Sequence, residues 1–175
     1  MKKKSVAHTP LNYFPVKNGR VYAAGKPVEQ IVAMAGQTPL YIYDRQLISQ
    51  RVASLRTILP QRIQLHYAIK ANPMPAVVQH LSGLVDGLDI ASHGEMLIAL
   101  NSGMKASEIS FAGPGKTDKE LTAAIAAEIV INVESENELV RINNIGNTLG
   151  ITPNMYGHVR LFVSYLRLVT LTRIS

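Results

Sequence analysis

The sequence predicts an α/β fold built on a parallel sheet. Three observations carry that expectation. From residue 38 to residue 150 the pattern runs strand, turn, helix, repeatedly. The strand starts fall near residues 40, 63, 87, 109 and 129, a spacing of roughly 20–24 that fits one βα unit each. The chain of 175 residues is 47% hydrophobic and 17% charged, which supplies one core and hardly two.

Pro39-Leu40-Tyr41-Ile42-Tyr43 reads as a short strand. Asp44 then caps a helix whose Ile48, Val52, Leu55 and Leu59 share one face, and Pro60 stops it. Ile63, Leu65, Tyr67 and Ile69 alternate with Gln64, His66 and Ala68, the period of a strand. Pro73 and Pro75 open a helix from about Met74 to Ser82, closed by Gly83. Gly87–Ile90 is a third strand, Glu95–Ser102 a third helix closed by Gly103, and Ile109–Ala112 a fourth strand. Thr117-x-x-Glu120 has the capping-box spacing and starts a helix running to about Ala127. Ile129–Val133 is a fifth strand. Ser135-x-x-Glu138 repeats the box, and its helix ends near Gly150. Residues 1–37 read as an irregular lead-in with one strand at Arg20–Ala23. Residues 38–154 form the βα body. Residues 155–175 break the rhythm and read as a foreign tail.

Composition removes several classes. Without cysteine there are no disulfides, thiolate metal sites or cysteine nucleophiles. His8, His80 and His158 make no metal-ligand spacing with a carboxylate, so no metal is expected. All twelve acids lie at or before Glu138, while three lysines sit at positions 2–4 and four arginines follow Glu138. Residues 5–138 therefore hold eleven bases against twelve acids, and the net charge of +6 belongs to the ends. That argues against nucleic acid as a partner. No run is apolar enough to span a membrane, and Ser5–Pro10 is no apolar signal core, so a cytoplasmic location is expected. Gly113-Pro114-Gly115-Lys116 lacks the spacing of a phosphate loop, and Lys116 reads as a βα-loop lysine.

Lys70 is the residue on which function turns. It follows an alternating strand, at the end where βα loops gather active-site groups. Desolvation there lowers a lysine's pKa and frees the amine to attack a carbonyl. On position alone the surface lysine at a strand end is the favoured reading. The wording around it decides. His66-Tyr67-Ala68-Ile69-Lys70-Ala71-Asn72-Pro73 resembles the lysine motif of the fold-type III pyridoxal-phosphate decarboxylases, the diaminopimelate and ornithine decarboxylase family. Three further blocks follow in the family's order. They are Asp89-x-x-Ser92-x-Gly94-Glu95, then Phe111-x-Gly113-Pro114-x-Lys116 with Glu120-Leu121, then Asn132-Val133-Glu134-Ser135 with Glu138-Leu139. The wording is nearest the diaminopimelate-decarboxylase-like branch associated with exosortase gene clusters.

The resemblance implies an alanine-racemase-like (β/α)8 barrel, represented by roughly its first half, with the Lys70 strand as the first of eight. Only four barrel strands are then recognisable, because residues 40–43 lead in from a separate β-domain. It also implies an amino-acid decarboxylase, as in lysine biosynthesis, with pyridoxal 5'-phosphate as cofactor and Lys70 as its Schiff-base lysine. Asp89 resembles the aspartate beside that lysine, and reads alternatively as a carboxylate hydrogen-bonded inside the barrel. Glu95 resembles another acid near the cofactor, and reads alternatively as a helix-start acid. His66, on the opposite strand face from Tyr67, reads as packed or helix-facing. His93 lies near the site by position only. The family is a homodimer that shares residues from its C-terminal β-domain, which the matching blocks do not include. Arg160 stands two places from the family arginine, as a frameshift would leave it. A cofactor-binding fragment without turnover, or an inactive truncation product, is the alternative.

Overall fold

The computed structural model of the chain describes residues 13–157. Expectations resting on Lys2–Lys4, His8, His158, Arg160 and the rest of the tail beyond residue 157 lie outside the described residues. The chain divides into two compact units, one reaching to Leu55 and one from Arg56 onward.

In the first unit the strand expected at Arg20–Ala23 forms, and it has neighbours on both sides. The unit holds three short antiparallel strands in sequence order, β1 (Val16–Lys17), β2 (Arg20–Ala23) and β3 (Lys26–Pro27), followed by helix α1 (Val28–Ala35). The two turns are Asn18-Gly19 and Ala24-Gly25, with φ of 51° and 73°, then 49° and 73°. Positive φ at both central residues is the tight hairpin turn whose twist matches paired strands. The strand expected at residues 39–43 does not form, and Tyr41 is 89% exposed. Leu40 and Ile42 are half-buried, but no described strand pairs with this segment. Asp44 does cap the next helix, α2 (Arg45–Ile58), its Oδ1 accepting from the backbone N–H of Gln46 at 2.8 Å.

The second unit is a five-stranded, wholly parallel sheet. Its order is β4 (His66–Ala68), β5 (Gly87–Ile90), β6 (Ile109–Phe111), β7 (Val130–Val133) and β8 (Met155–Gly157). The crossovers carry α3 (Pro75–Ser82), α4 (His93–Leu100), α5 (Asp118–Ala126) and α6 (Glu136–Leu149). Sequence order equals spatial order, and right-handed crossovers in that order lay every helix on the same face. A doubly wound sheet reverses its order and takes helices on both faces, whereas a barrel keeps this one. Burial agrees. Leu88, Ile90, Ile109, Phe111, Ile131 and Val133 pack with Val78, Met96, Leu121, Ile125 and Ile142 of the helices. The residues between them in sequence, Asp89, Ser110 and Asn132, occupy the other face. Among the described residues no helix is long and apolar enough to cross a membrane.

Two boundaries moved. The strand expected over 63–69 shrinks to His66–Ala68, because its partner starts only at Gly87, while Asp86 before it turns to accept from the Leu65 N–H at 2.6 Å. The tail expected from residue 155 begins instead as β8, with Ile131 paired to Met155 and Asn132 to Tyr156. The chain is turned back beside β7 by the loop after α6. Gly146 leaves room for Pro153, and Ile131 donates to the Asn154 carbonyl at 2.9 Å. A three-residue strand specified by its neighbour's ladder has too short a pattern to be read alone.

Candidate active site

Lys70 stands where the sequence puts it, at the carboxyl end of the first parallel strand. The strand passes directly into a 3-10 turn, Ile69–Ala71. Ile69 is fully buried against the helices and anchors the turn, while Lys70 beside it is exposed. The Tyr67 hydroxyl donates to the Asn72 carbonyl at 3.1 Å, and Asn72 Oδ1 accepts from Met74 N–H at 3.0 Å. These bonds fix the turn between strand and α3. Tyr67 packs against the core.

Beneath the rim lies a polar row. Ala68, Asp89 and Ser110 are register partners on β4, β5 and β6. The Ser110 hydroxyl donates to Asp89 Oδ1, and His66 Nδ1 lies 3.3 Å from the same oxygen. His66 is therefore not helix-facing, a correction to the sequence reading. The helix side of β4 is taken by Tyr67 and Ile69, so its alternate residues turn to the polar face.

Glu95 sits in the first turn of α4, where its Oε2 accepts from Ala91 N–H at 2.8 Å and its own N–H bonds the Ser92 hydroxyl. Ser92 and Glu95 thus repeat the spacing already read at Thr117 and Ser135, a signal overlooked at this helix. His93 donates its backbone N–H to Glu120 Oε1 at 3.1 Å. Glu120 is held below the ordinary carboxylate pKa, first by the Thr117 backbone N–H, then by the Thr117 hydroxyl, with partial burial opposing. Two buried side-chain atoms here, Asn72 Nδ2 and His93 Nδ1, have no hydrogen-bond partner among the described residues.

Lys116 is the residue whose setting the sequence concealed. It is 4% exposed, and its ammonium donates to the carbonyls of Gly113 and Asn132 at 2.7 and 2.8 Å and to both oxygens of Glu138 at 3.0 and 3.1 Å. Glu134 Oε1 accepts from Gly113 N–H at 3.1 Å. Lysine and carboxylate lie 22 positions apart, so no local spacing joins them. Among the described residues no group of three His, Cys, Asp or Glu could hold a metal.

Known proteins share this architecture. The chain is 38% identical over 139 residues to the diaminopimelate decarboxylase of Aquifex aeolicus, covering 79% of this chain and 33% of that one. It is 37% identical over 119 residues to the 2-[(L-alanin-3-ylcarbamoyl)methyl]-2-hydroxybutanedioate decarboxylase of Staphylococcus aureus, covering 67% and 30%. The crystal structure of diaminopimelate decarboxylase from Helicobacter pylori complexed with L-lysine superposes with a TM-score of 0.68 at 34% identity, covering 74% and 33%. The chain thus spans about a third of the length of the curated relatives it matches. Its parallel sheet is part of the alanine-racemase-like barrel of these decarboxylases. The family model for the pyridoxal binding domain of pyridoxal-dependent decarboxylases matches residues 45–160, two thirds of the chain, and the chain belongs to that family.

Proposed function

We propose that the chain provides the lysine-bearing part of a pyridoxal-phosphate-dependent amino-acid decarboxylase of the diaminopimelate decarboxylase kind, with Lys70 as the lysine that binds the cofactor. The observation that carries this reading is the placement of Lys70. It stands exposed on a turn anchored by buried Ile69, at the carboxyl rim of a sequentially ordered parallel sheet. The residues present fit the cofactor. An accessible amine suits its aldehyde, and Asn72 Nδ2 and His93 Nδ1, without a partner among the described residues, are polar groups that a polar ligand at this rim would satisfy.

When bound, pyridoxal phosphate supplies an aldehyde for an amine and a ring that takes up the electron pair left by departing carbon dioxide. The chain's own residues do the rest. Lys70 would hold the cofactor through its exposed amine. Asp89, across from Ala68, favours the ionised form of a lysine brought within about 4–6 Å. Glu95 fixes the β5–α4 loop through Ala91 and so shapes the rim around the cofactor. The names of the relatives, and the L-lysine in the H. pylori structure, support an amino acid as substrate.

A second reading, cofactor capture without turnover, is favoured by the five strands described where a closed barrel of this kind uses eight. Incubation of the 175-residue chain with pyridoxal phosphate, borohydride reduction and peptide mapping tests the site. Label is expected on Lys70 and absent from Lys70→Ala. Label on other lysines with none on Lys70 overturns the assignment. Release of carbon dioxide from diaminopimelate, lysine, ornithine or arginine supports the enzymatic reading, and a labelled chain that releases none supports capture.

A further inference from the structure

Two donors on the polar face converge on a single carboxylate oxygen. Asp89 Oδ1 accepts from the Ser110 hydroxyl and lies 3.3 Å from His66 Nδ1, while Oδ2 has no partner among the described residues. The sheet is shaped for this convergence. A Cβ at Gly87 would lie 2.5 Å from the Glu108 carbonyl oxygen, 2.5 Å from His66 Cε1 and 2.7 Å from Nδ1. Glycine there opens the space in which the imidazole rests across β5. Ser110 is 8% exposed, and its strand neighbours Ile109 and Phe111 are locked in the core. Its hydroxyl is thus delivered from a rigid element.

Asp has two side-chain torsions, and two donors on one oxygen leave it a single orientation. A donor at Nδ1 also selects the imidazole tautomer protonated there. What remains is one carboxylate oxygen with unused acceptor capacity, in register with Ala68 and two residues before Lys70 in that strand's line. We propose that His66 and Ser110 are positioning residues that hold Asp89 by one oxygen so that the other serves the Lys70 amine. This rests on Lys70 being the reactive lysine, yet its test needs no cofactor.

Competitive acetylation of the full chain at fixed pH reads the reactivity of each lysine, quantified by peptide mapping. An aspartate held toward the amine keeps it protonated and slow. Asp89→Asn, which removes the charge and keeps the shape, is expected to raise Lys70 labelling about threefold relative to Lys105 and Lys119. Ser110→Ala and His66→Phe should raise it in the same direction, and Ser110→Thr, which keeps the hydroxyl, should restore the original rate. Unchanged Lys70 labelling in Asp89→Asn, or in Ser110→Ala while Asp89→Asn responds, overturns the proposal. Nitrogen-15 imidazole spectra of the unsubstituted chain give a second check that requires no variant to fold. His66 protonated at Nδ1 supports the arrangement, and His66 protonated only at Nε2 overturns it. Failure of pyridoxal phosphate to label Lys70, with these results positive, would remove the cofactor reading and leave the positioning intact.

Discussion

Lys116 is a buried ammonium with four oxygen contacts, all from groups in its own and the next βα unit. Removing one partner leaves the other charged and dry. Lys116→Met is therefore expected to cost about 3–5 kcal/mol in denaturant unfolding, and the Lys116→Met/Glu138→Leu pair to recover most of it. Equal losses in the single and double variants would show that the charge itself is not the cost. Gly146 sets a second test. A Cβ there would meet Pro153 Cγ at 2.8 Å and the Ile151 carbonyl oxygen at 2.9 Å. Gly146→Ala should lower stability by about 1–3 kcal/mol, read as a shifted denaturation midpoint with unchanged slope. At this scale the sequence was legible where chemistry and chain position coincide. Lys70 announces itself by following an alternating strand inside a recognisable block. Glu138 as the partner of Lys116, and Ser110 as the partner of Asp89, did not, because sheet register creates those meetings across 22 and 21 positions.

The helices start by one device used three times. Ser92, Thr117 and Ser135 each accept from the backbone N–H three residues on, and Glu95, Glu120 and Glu138 each return a carboxylate to a main-chain amide. Thr117→Ala should cost about 1 kcal/mol, measured by thermal or denaturant unfolding. Acid sensitivity belongs to the same scale. Asp86 is held below its ordinary carboxylate value, chiefly by the Leu65 N–H, with the Arg56 guanidinium at 2.6 Å adding to it. Glu120 is lowered by Thr117. A folded-state pKa below the unfolded one gives stability that is present above the unfolded value and is lost as pH falls through the folded value. Stability should thus decline as pH drops below about 4, and Asp86→Asn and Glu120→Gln should each flatten that decline in acid titrations. An undiminished slope in both would rule these carboxylates out as its source. Capped, periodic helices and the strands between them were readable. The segment 39–43 was misread as a strand, since an apolar run speaks of a face and not of whether a strand exists to pair with it.

The second unit as a whole is a one-sided construction, with helices and apolar core on one face of the sheet and a polar row on the other. Amide exchange should follow that geometry. The central strands β5, β6 and β7, each bonded on both sides, are expected to exchange slowest, and β4 and β8, each bonded to one described neighbour, faster. Equal protection across all five, read by mass spectrometry of peptides, would contradict it. The barrel-like strand order was legible only through family wording, because periodicity alone allows both wound arrangements.

The rim above that sheet is laced from unit to unit. Glu120 grips the amide of His93, and Glu134 grips the amide of Gly113. In both ties the gripped atom is main chain, which every residue but proline provides. The lacing is therefore indifferent to which side chain occupies position 93 and exacting about which occupies 120 and 134, while the φ of 119° at position 113 favours glycine there. A loop so fastened at position 93 is free to vary the group it shows to a ligand while the frame beneath keeps its shape.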